Sequence, residues 1–245
     1  MIHIFYMRFD TSVSNLKKDL YMQFLSDERK QRVHQKKSSE AAMKCMQTGL
    51  FLRYGLERTG YGKVYNDILV REDGKPEIAG NSVYFNLSHS GEYVVLVIAD
   101  CMCGIDIQEP VIAKERLIKH VLHANEYRLI EACDERDTDK RSKILTQFWC
   151  LKEAYLKYTG EGIRFAMSRL DLSPVYEPQL IPIMNLTGNI GWKSMPMDSD
   201  HQKMVNIKSF MLDQYVVSIC IDKPMYIDES TALSAEQLFS HFNVK

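Results

Sequence analysis

Three short stretches and one charged run concentrate the residues able to do phosphate and metal chemistry. The first is FNLSHSG, Phe85 to Gly91. A strand leaving the core at Ser88, His89, Ser90 and Gly91 would present two hydroxyls, an imidazole and turn N–H groups to phosphate oxygens; an ordinary polar turn uses the same Ser and Gly. The second is GIDIQ, Gly104 to Gln108. Side chains two apart on a strand share a face, so Asp106 and Gln108 point together while Ile105 and Ile107 face the core. One carboxylate and one amide carbonyl suit Mg²⁺, which prefers one or two carboxylates with waters and substrate phosphates to a full protein cage. A polar strand end is the plainer alternative.

The third stretch is FWCLKEAYLKYTGEG, Phe148 to Gly162. At 100° per residue, Ile144, Leu145, Phe148, Trp149, Leu151, Tyr155 and Leu156 fill one broad apolar arc, and Lys152 falls inside it. An ammonium there must reach an edge or find a buried anion, because an unpaired buried charge is costly. Glu153 and Lys157, four apart, share the polar margin of the arc beside Trp149. A surface ion pair of this kind is worth only about 0.3–0.5 kcal/mol. The fourth feature is the basic run Arg29 to Lys37, ordinarily a solvated helix face. In a functional version one or two of Arg29, Lys30, Arg32, Lys36 and Lys37, joined by Lys44 and by Lys75, would hold a terminal phosphate.

These residues need elements to position them. Ile2 to Phe9 is aromatic and β-branched and predicts a strand. Ser26, and then Ser38 or Ser39, start two helices joined near Lys37, the second with Met43, Met46, Leu50 and Tyr54 at helical spacing. Asp73-Gly74 before Lys75-Pro76 is turn chemistry, and Tyr84 to Leu87 is a strand that Ser88 to Gly91 ends. Tyr93 to Asp100 and Gly104 to Ile107 are strands. Gln108-Glu109-Pro110 closes the second of them and sets a domain boundary, dividing the chain into 1–108 and 109–245. Helices then follow near Arg116, over Asn125 to Ala132 and over Lys140 to Tyr158, and Ser234 with Gln237 makes a capping box. YVVSICID, Tyr215 to Asp222, echoes YVVLVIAD, Tyr93 to Asp100, which points to an internal duplication.

Composition narrows the classes. The chain has 245 residues, 45% apolar and 26% charged, as a folded globular protein does. Its 31 basic and 32 acidic residues leave a net charge of −1, without the basic excess of a nucleic-acid binder. The longest apolar run, Tyr93 to Ala99, is far short of the roughly 20 residues that span a bilayer. The six cysteines lack both disulfide-scaffold density and C-x-x-C pairing, so reduced thiols and a cytoplasmic location are expected.

In this order the motifs resemble those of the 4′-phosphopantetheinyl transferases of the surfactin-synthetase type. FNLSHSG matches F-N-[IL]-S-H-S, GIDIQ matches G-[IV]-D-[IV]-E, and WCLKEAYLKYTGEGI matches W-x-x-K-E-[AS]-x-x-K-x-x-G-x-G. A weaker likeness runs through R-x-D-G-K-P at Arg71 to Pro76 and the helix holding Asn125, Glu126 and Tyr127. The resemblance implies an α+β fold of two similar halves related by a pseudo-twofold. Each half has a small, mostly antiparallel sheet on a long helix, with coenzyme A in the cleft between them. The implied reaction moves the phosphopantetheine arm of coenzyme A onto a serine of an apo acyl or peptidyl carrier protein and releases 3′,5′-adenosine bisphosphate. Asp106, Gln108 and Glu153 would hold Mg²⁺, and Glu153 would also serve as base. Lys157 and His89 would stabilise phosphate charge, and Ser88 would position the coenzyme. Lys152 would be a structural or phosphate partner, with Arg32, Lys36, Lys44 and Lys75 at the 3′-phosphate end. Nucleic acid and membrane are not expected as partners, and a monomer suffices because both halves lie in one chain.

One departure stands out: Gln108 replaces the second acid of the G-[IV]-D-[IV]-E motif and is a weaker ligand for a hard cation. A catalytically silent coenzyme A or nucleotide binder is therefore the rival reading, and a nucleic-acid module built on the Arg29 to Lys37 face is a weaker third.

Overall fold

The aromatic amino-terminal run forms the expected strand, β1 (Ile2–Arg8), in a computed structural model that describes residues 1–12, 15–71, 74–80, 83–162, 166–197 and 204–242, with the backbone alone for 15–18. Three helices follow: α1 (Asn15–Met22), α2 (Asp27–His34) and α3 (Ser39–Arg58). Ser26 accepts the Arg29 N–H at 3.3 Å and Ser38 accepts the Ala41 N–H at 3.1 Å, so the two serine caps start α2 and α3 as their chemistry dictates. A hairpin of β2 (Ile68–Val70) and β3 (Pro76–Ile78) surrounds the expected turn, with Gly74 at φ 86; Asp73 lies outside the described residues. Helix α1 and this hairpin have no counterpart in the sequence reading.

Strands β4 (Tyr84–Ser90), β5 (Tyr93–Ala99) and β6 (Cys103–Gln108) come next, then helices α4 (Glu115–Val121), α5 (Ala124–Glu131) and α6 (Thr138–Thr159). The chain continues through β7 (Ile181–Pro182), β8 (Lys193–Pro196), β9 (Met204–Leu212), β10 (Tyr215–Ile221) and β11 (Ile227–Leu233), and α7 (Ala235–His241) follows behind the expected Ser234–Gln237 capping box. One expectation fails here. β4 does not break at Ser88 but runs through Ser90, because Ser88 and His89 find ladder partners in Val95 and Val94 of the buried β5. The turn is Gly91-Glu92, where Gly91 takes the positive φ of 51 that a two-residue hairpin demands.

The strands form two main sheets, ordered β11-β1-β5-β4 and β6-β10-β9-β7, with β8 pairing the remaining length of β9. Inward residues of both sheets, Ile4 and Val97 from one and Ile105 and Ile219 from the other, share a buried cluster. The outer face of the first sheet packs on α3 through residues such as Phe5, Leu50 and Leu96, and the outer face of the second packs on α6 through Phe148, Ile207 and Cys220. The layers therefore run helix, sheet, sheet, helix, an α+β arrangement.

Each half follows the order strand, long helix, antiparallel hairpin, and in each the leading strand pairs with the second strand of the hairpin: β1 with β5 and β6 with β10. Asp213 (φ 52) and Gln214 form the second hairpin turn, as Gly91 and Glu92 form the first. The echoing strands β5 and β10 bring their leading tyrosines together, Tyr93 and Tyr215 meeting edge to face at 5.2 Å. Strand β6, on the amino-terminal side of the boundary expected at 108, is the leading strand of the second sheet. At the other end β11 and α7 cross back to the first half, where Leu233, Leu238 and Phe242 join its core.

Candidate active site

The two sheets meet along β4 and β6, and the side chains that join them are the alternate residues of FNLSHS. Asn86, Ser88 and Ser90, each two apart, face β6 together. Asn86 Oδ1 accepts the Ile105 N–H at 2.9 Å, Ser88 Oγ donates to Asp106 Oδ1 at 2.7 Å, and Ser90 Oγ accepts the Glu109 N–H at 3.1 Å. Asn86 and Ser90 thus satisfy edge amides that the β6 ladder leaves open.

Asp106 is 5% exposed. Helix α6 lies against its strand with almost no gap: Gly104 has no side chain, and a Cβ there would collide with the Ala154 carbonyl and the Tyr158 amide. That close approach carries Glu153 and Lys157, one turn apart, to the Asp106 side chain. Lys157 Nζ donates to Asp106 Oδ1 at 2.6 Å and to Ser88 Oγ at 2.7 Å. Burial raises the Glu153 pKa, the Asp106 charge raises it further, and Lys157 opposes them.

Two carboxylates that repel one another, with a single lysine between them, form a site short of positive charge. Asp106 Oδ2 is also buried without a hydrogen-bond partner. An orphaned carboxylate oxygen beside a second, partly buried carboxyl is what a hard divalent cation requires, so the residues fit Mg²⁺. Gln108 ends the same strand on the same face as Asp106, half-buried and opposite Val216. Among the described residues no three His, Cys, Asp or Glu side chains cluster for a metal.

His89 points to the other side of β4, exposed at its rim but partly covered by Phe9, the two rings 6.3 Å apart. That partial burial lowers its pKa, and Lys157, Lys36 and Lys44 lower it further, which marks a local concentration of cations. Lys44 donates to the Gly91 carbonyl at 3.2 Å, pairs with Glu40 at 2.9 Å and lies over the Phe9 ring. Lys36 and Lys44 are thus brought to His89. Arg32 remains on α2, paired with Glu28 one turn away. Lys75 lies at the opposite end of the cleft, where its ammonium bonds the last carbonyls of α6, those of Lys157 and of Tyr158 (3.2 Å), a helix-end cap.

Lys152 lies apart from this group. It is 0% exposed and faces away from the cleft, paired with the equally buried Glu126 at 2.5 Å. Its ammonium also donates to the Val121 and Met167 carbonyls at 2.7 and 3.0 Å, and Glu126 accepts the N–H groups of His123 and Leu172 at 2.8 and 2.7 Å. Burial pushes Lys152 down and Glu126 up, each against the pull of the other. Lys152 therefore ties α6 to α4, α5 and the segment before Leu172, the place of a structural partner.

Sequence reasoning missed Asn86 as a tie between the sheets, Gly104 as a contact and Glu126 as the anion Lys152 needs. Period-two spacing with Ser88 and Ser90 could have found the first, and a glycine inside a strand is the usual trace of the second. Nothing local announced the third.

A family model described as the 4′-phosphopantetheinyl transferase superfamily matches residues 102–220 and begins at the turn before β6. The chain is 23% identical over 233 residues to the 4′-phosphopantetheinyl transferase Sfp of Bacillus subtilis, covering 94% of this chain and 96% of the relative. It is 27% identical over 173 residues to 4′-phosphopantetheinyl transferase psf-1 of Bacillus pumilus, covering 70% and 67%. It is 34% identical over 97 residues to 4′-phosphopantetheinyl transferase HetI of a Nostoc species, covering 37% and 40%.

Proposed function

This chain belongs to the 4′-phosphopantetheinyl transferase superfamily, and from that premise we propose that it moves the phosphopantetheine arm of coenzyme A to a serine of an apo acyl or peptidyl carrier protein at the seam of β4, β6 and α6. The observation that carries this reading is the convergence of Ser88, Lys157 and Asp106 on one point, with Asp106 Oδ2 left unpaired beside Glu153.

Asp106 and Glu153 would hold Mg²⁺, with the Gln108 amide as a weaker third ligand. When bound, the ion neutralises charge on the pyrophosphate and on the departing bisphosphate. The chain's own groups do the rest. Lys157 and Ser88, already within hydrogen-bond reach of one another, offer donors to the phosphate oxygens. His89, its pKa lowered, is neutral at pH 7 and offers one ring N–H. Lys36 and Lys44 beside it supply a positive field for the 3′-phosphate. Glu153 takes the proton of the incoming serine, whose oxygen bonds to the β-phosphorus as the bond to 3′,5′-adenosine bisphosphate breaks.

The fold sets the cleft between two halves of like order, which supports the pseudo-twofold relation. The described cysteines are all unpaired, which supports a reducing, cytoplasmic setting, and no described helix is long and apolar enough to cross a membrane. Apo carriers of fatty-acid, polyketide and peptide pathways, each incubated with coenzyme A and Mg²⁺, identify the partner. Asp106→Ala should lose transfer, and retained transfer would remove the metal assignment.

A further inference from the structure

The two tyrosines that lead the echoing strands reach across the seam in opposite directions. Tyr93 follows the Gly91-Glu92 turn of the first sheet, and its hydroxyl donates to the Asp213 carboxylate in the turn of the second sheet. Tyr215 follows that second turn, and its hydroxyl oxygen accepts the Glu92 N–H of the first turn at 3.5 Å. It also covers Gly91 so closely that a Cβ there would collide with the Tyr215 hydroxyl. Burial, then the Asp213 hydrogen bond and charge, push the Tyr93 pKa up to about 12, so this hydroxyl keeps its proton, and its role as donor, at neutral pH. Strands β4 and β6 are each the edge of their own sheet, and no backbone ladder joins them among the described residues. The ties across this seam are side chains: Asn86 at one end, Ser90 and the tyrosine clasp at the other, and Ser88 with Asp106 between them.

The clasp adjoins the residues that must act together. Tyr93 is the cross-strand partner of Ser90, two residues from Ser88, and Val216, next to Tyr215, is the partner of Gln108, two residues from Asp106. Two residues along a strand span about 7 Å. In the proposed site the cations for the coenzyme, Lys36, Lys44 and His89, lie on the side of the first sheet, whereas Asp106 and Glu153 lie on the side of the second. A phosphate that takes the Ser88 and Lys157 donors removes the central tie, Ser88 to Asp106, just when both sides must act on one pyrophosphate. We propose that Tyr93 and Tyr215 are positioning residues, whose crossed hydroxyls keep the coenzyme side and the metal side of the seam in register once Ser88 has turned to the phosphate. This rests on the transferase reading for what fills the site.

Tyr93→Phe combined with Tyr215→Phe removes both hydroxyls and keeps the edge-to-face ring contact. Calorimetry of coenzyme A binding with and without Mg²⁺ reads the register without any transfer. Mg²⁺ should raise the affinity of the wild type for coenzyme A at least about fivefold, a coupling between the two sides. The double variant should keep the metal-free affinity and lose most of that gain. Its kcat for transfer should fall about tenfold, with little change in the KM for coenzyme A. Asp213→Asn keeps an acceptor for Tyr93 and should hold both the coupling and kcat near their wild-type values, whereas Asp213→Gly, which suits the positive φ equally well, should lose them. A clasp with a purely structural role would lower the melting temperature and leave the coupling and kcat unchanged. That result, or a wild type whose coenzyme affinity ignores Mg²⁺, would overturn the inference. Coupling lost in the variants, with no transfer from the wild type to any carrier, leaves the clasp assigned and removes the transferase reading.

Discussion

Replacing Gly104 with alanine adds one methyl group at the tightest point of the catalytic half. A Cβ built there falls 2.5 Å from the Tyr158 backbone nitrogen and nearer still to the Ala154 carbonyl oxygen, whereas real Cβ contacts begin near 3.0 Å. Both neighbours are helix backbone, so no side chain can turn aside. Helix α6 must move off β6 by about 0.8 Å to clear the Ala154 carbonyl, taking Glu153 and Lys157 away from Asp106. A misplacement of about 1 Å in an oriented site costs roughly a hundredfold in rate, so Gly104→Ala should lower kcat by about ten- to a hundredfold. Overpacking costs roughly 1–3 kcal/mol, which in a chain of this size is about 2–12 °C in melting temperature. Transfer kinetics on an apo carrier, with thermal melting in parallel, read both effects. In the proposed site the coenzyme's charged end would rest on β4 and α3, so its affinity should fall much less than kcat. A Gly104→Ala enzyme with wild-type kcat would refute the claim that the α6–β6 contact sets the catalytic geometry.

Other substitutions probe separate parts of the account. Lys152→Met leaves the Glu126 carboxylate buried without its cation and should cost about 3–5 kcal/mol in chemical denaturation; Lys152→Met with Glu126→Leu should recover much of it, and a single-variant loss no larger than at a surface lysine would contradict the buried pair. Gln108→Glu should lower the Mg²⁺ concentration needed for half-maximal transfer several-fold, whereas an unchanged requirement would mean that Gln108 does not touch the ion. Burial works to raise the Glu57 pKa, but Arg53 (2.8 Å) and His241 (2.6 Å) outweigh it and hold the carboxyl below the usual glutamate range. The folded chain therefore binds fewer protons at this site, and its contribution is present above the unfolded pKa and lost as pH falls through the depressed one. Stability below about pH 4.5 should consequently fall less steeply in Glu57→Gln than in the wild type, and identical slopes would contradict the pairing of α7 with α3.

Much of this architecture was legible because its signals are local. Ser26 and Ser38 cap the helices they precede, the apolar arc of Phe148 and Leu156 marks α6, and the Asp106–Gln108 spacing puts both groups on one strand face. What escaped is non-local. The continuation of β4 through Ser88 depends on β5 lying beside it, and the placement of β6 in the second sheet depends on β10, more than a hundred residues later. The anomaly of Lys152 was visible in its arc, but the anion that resolves it, Glu126, lies on another helix. The same limit applied to the basic residues. Arg32, Lys36, Lys44 and Lys75 read as one phosphate set by charge alone, whereas the fold groups Lys36 and Lys44 at His89 and sends Lys75 to the end of α6.

The central claim is that this chain catalyses a group transfer at Asp106, Glu153 and Lys157. The most direct test is the intact mass of an apo carrier protein after incubation with the enzyme, coenzyme A and Mg²⁺, with the released nucleotide measured in the same tube. A transferase working at these residues leaves a carrier heavier by one phosphopantetheine arm on its serine, matched mole for mole by 3′,5′-adenosine bisphosphate, and no gain when Glu153→Gln replaces the wild type. A carrier that stays at its apo mass across the fatty-acid, polyketide and peptide classes, or one modified equally well by Glu153→Gln, would contradict it.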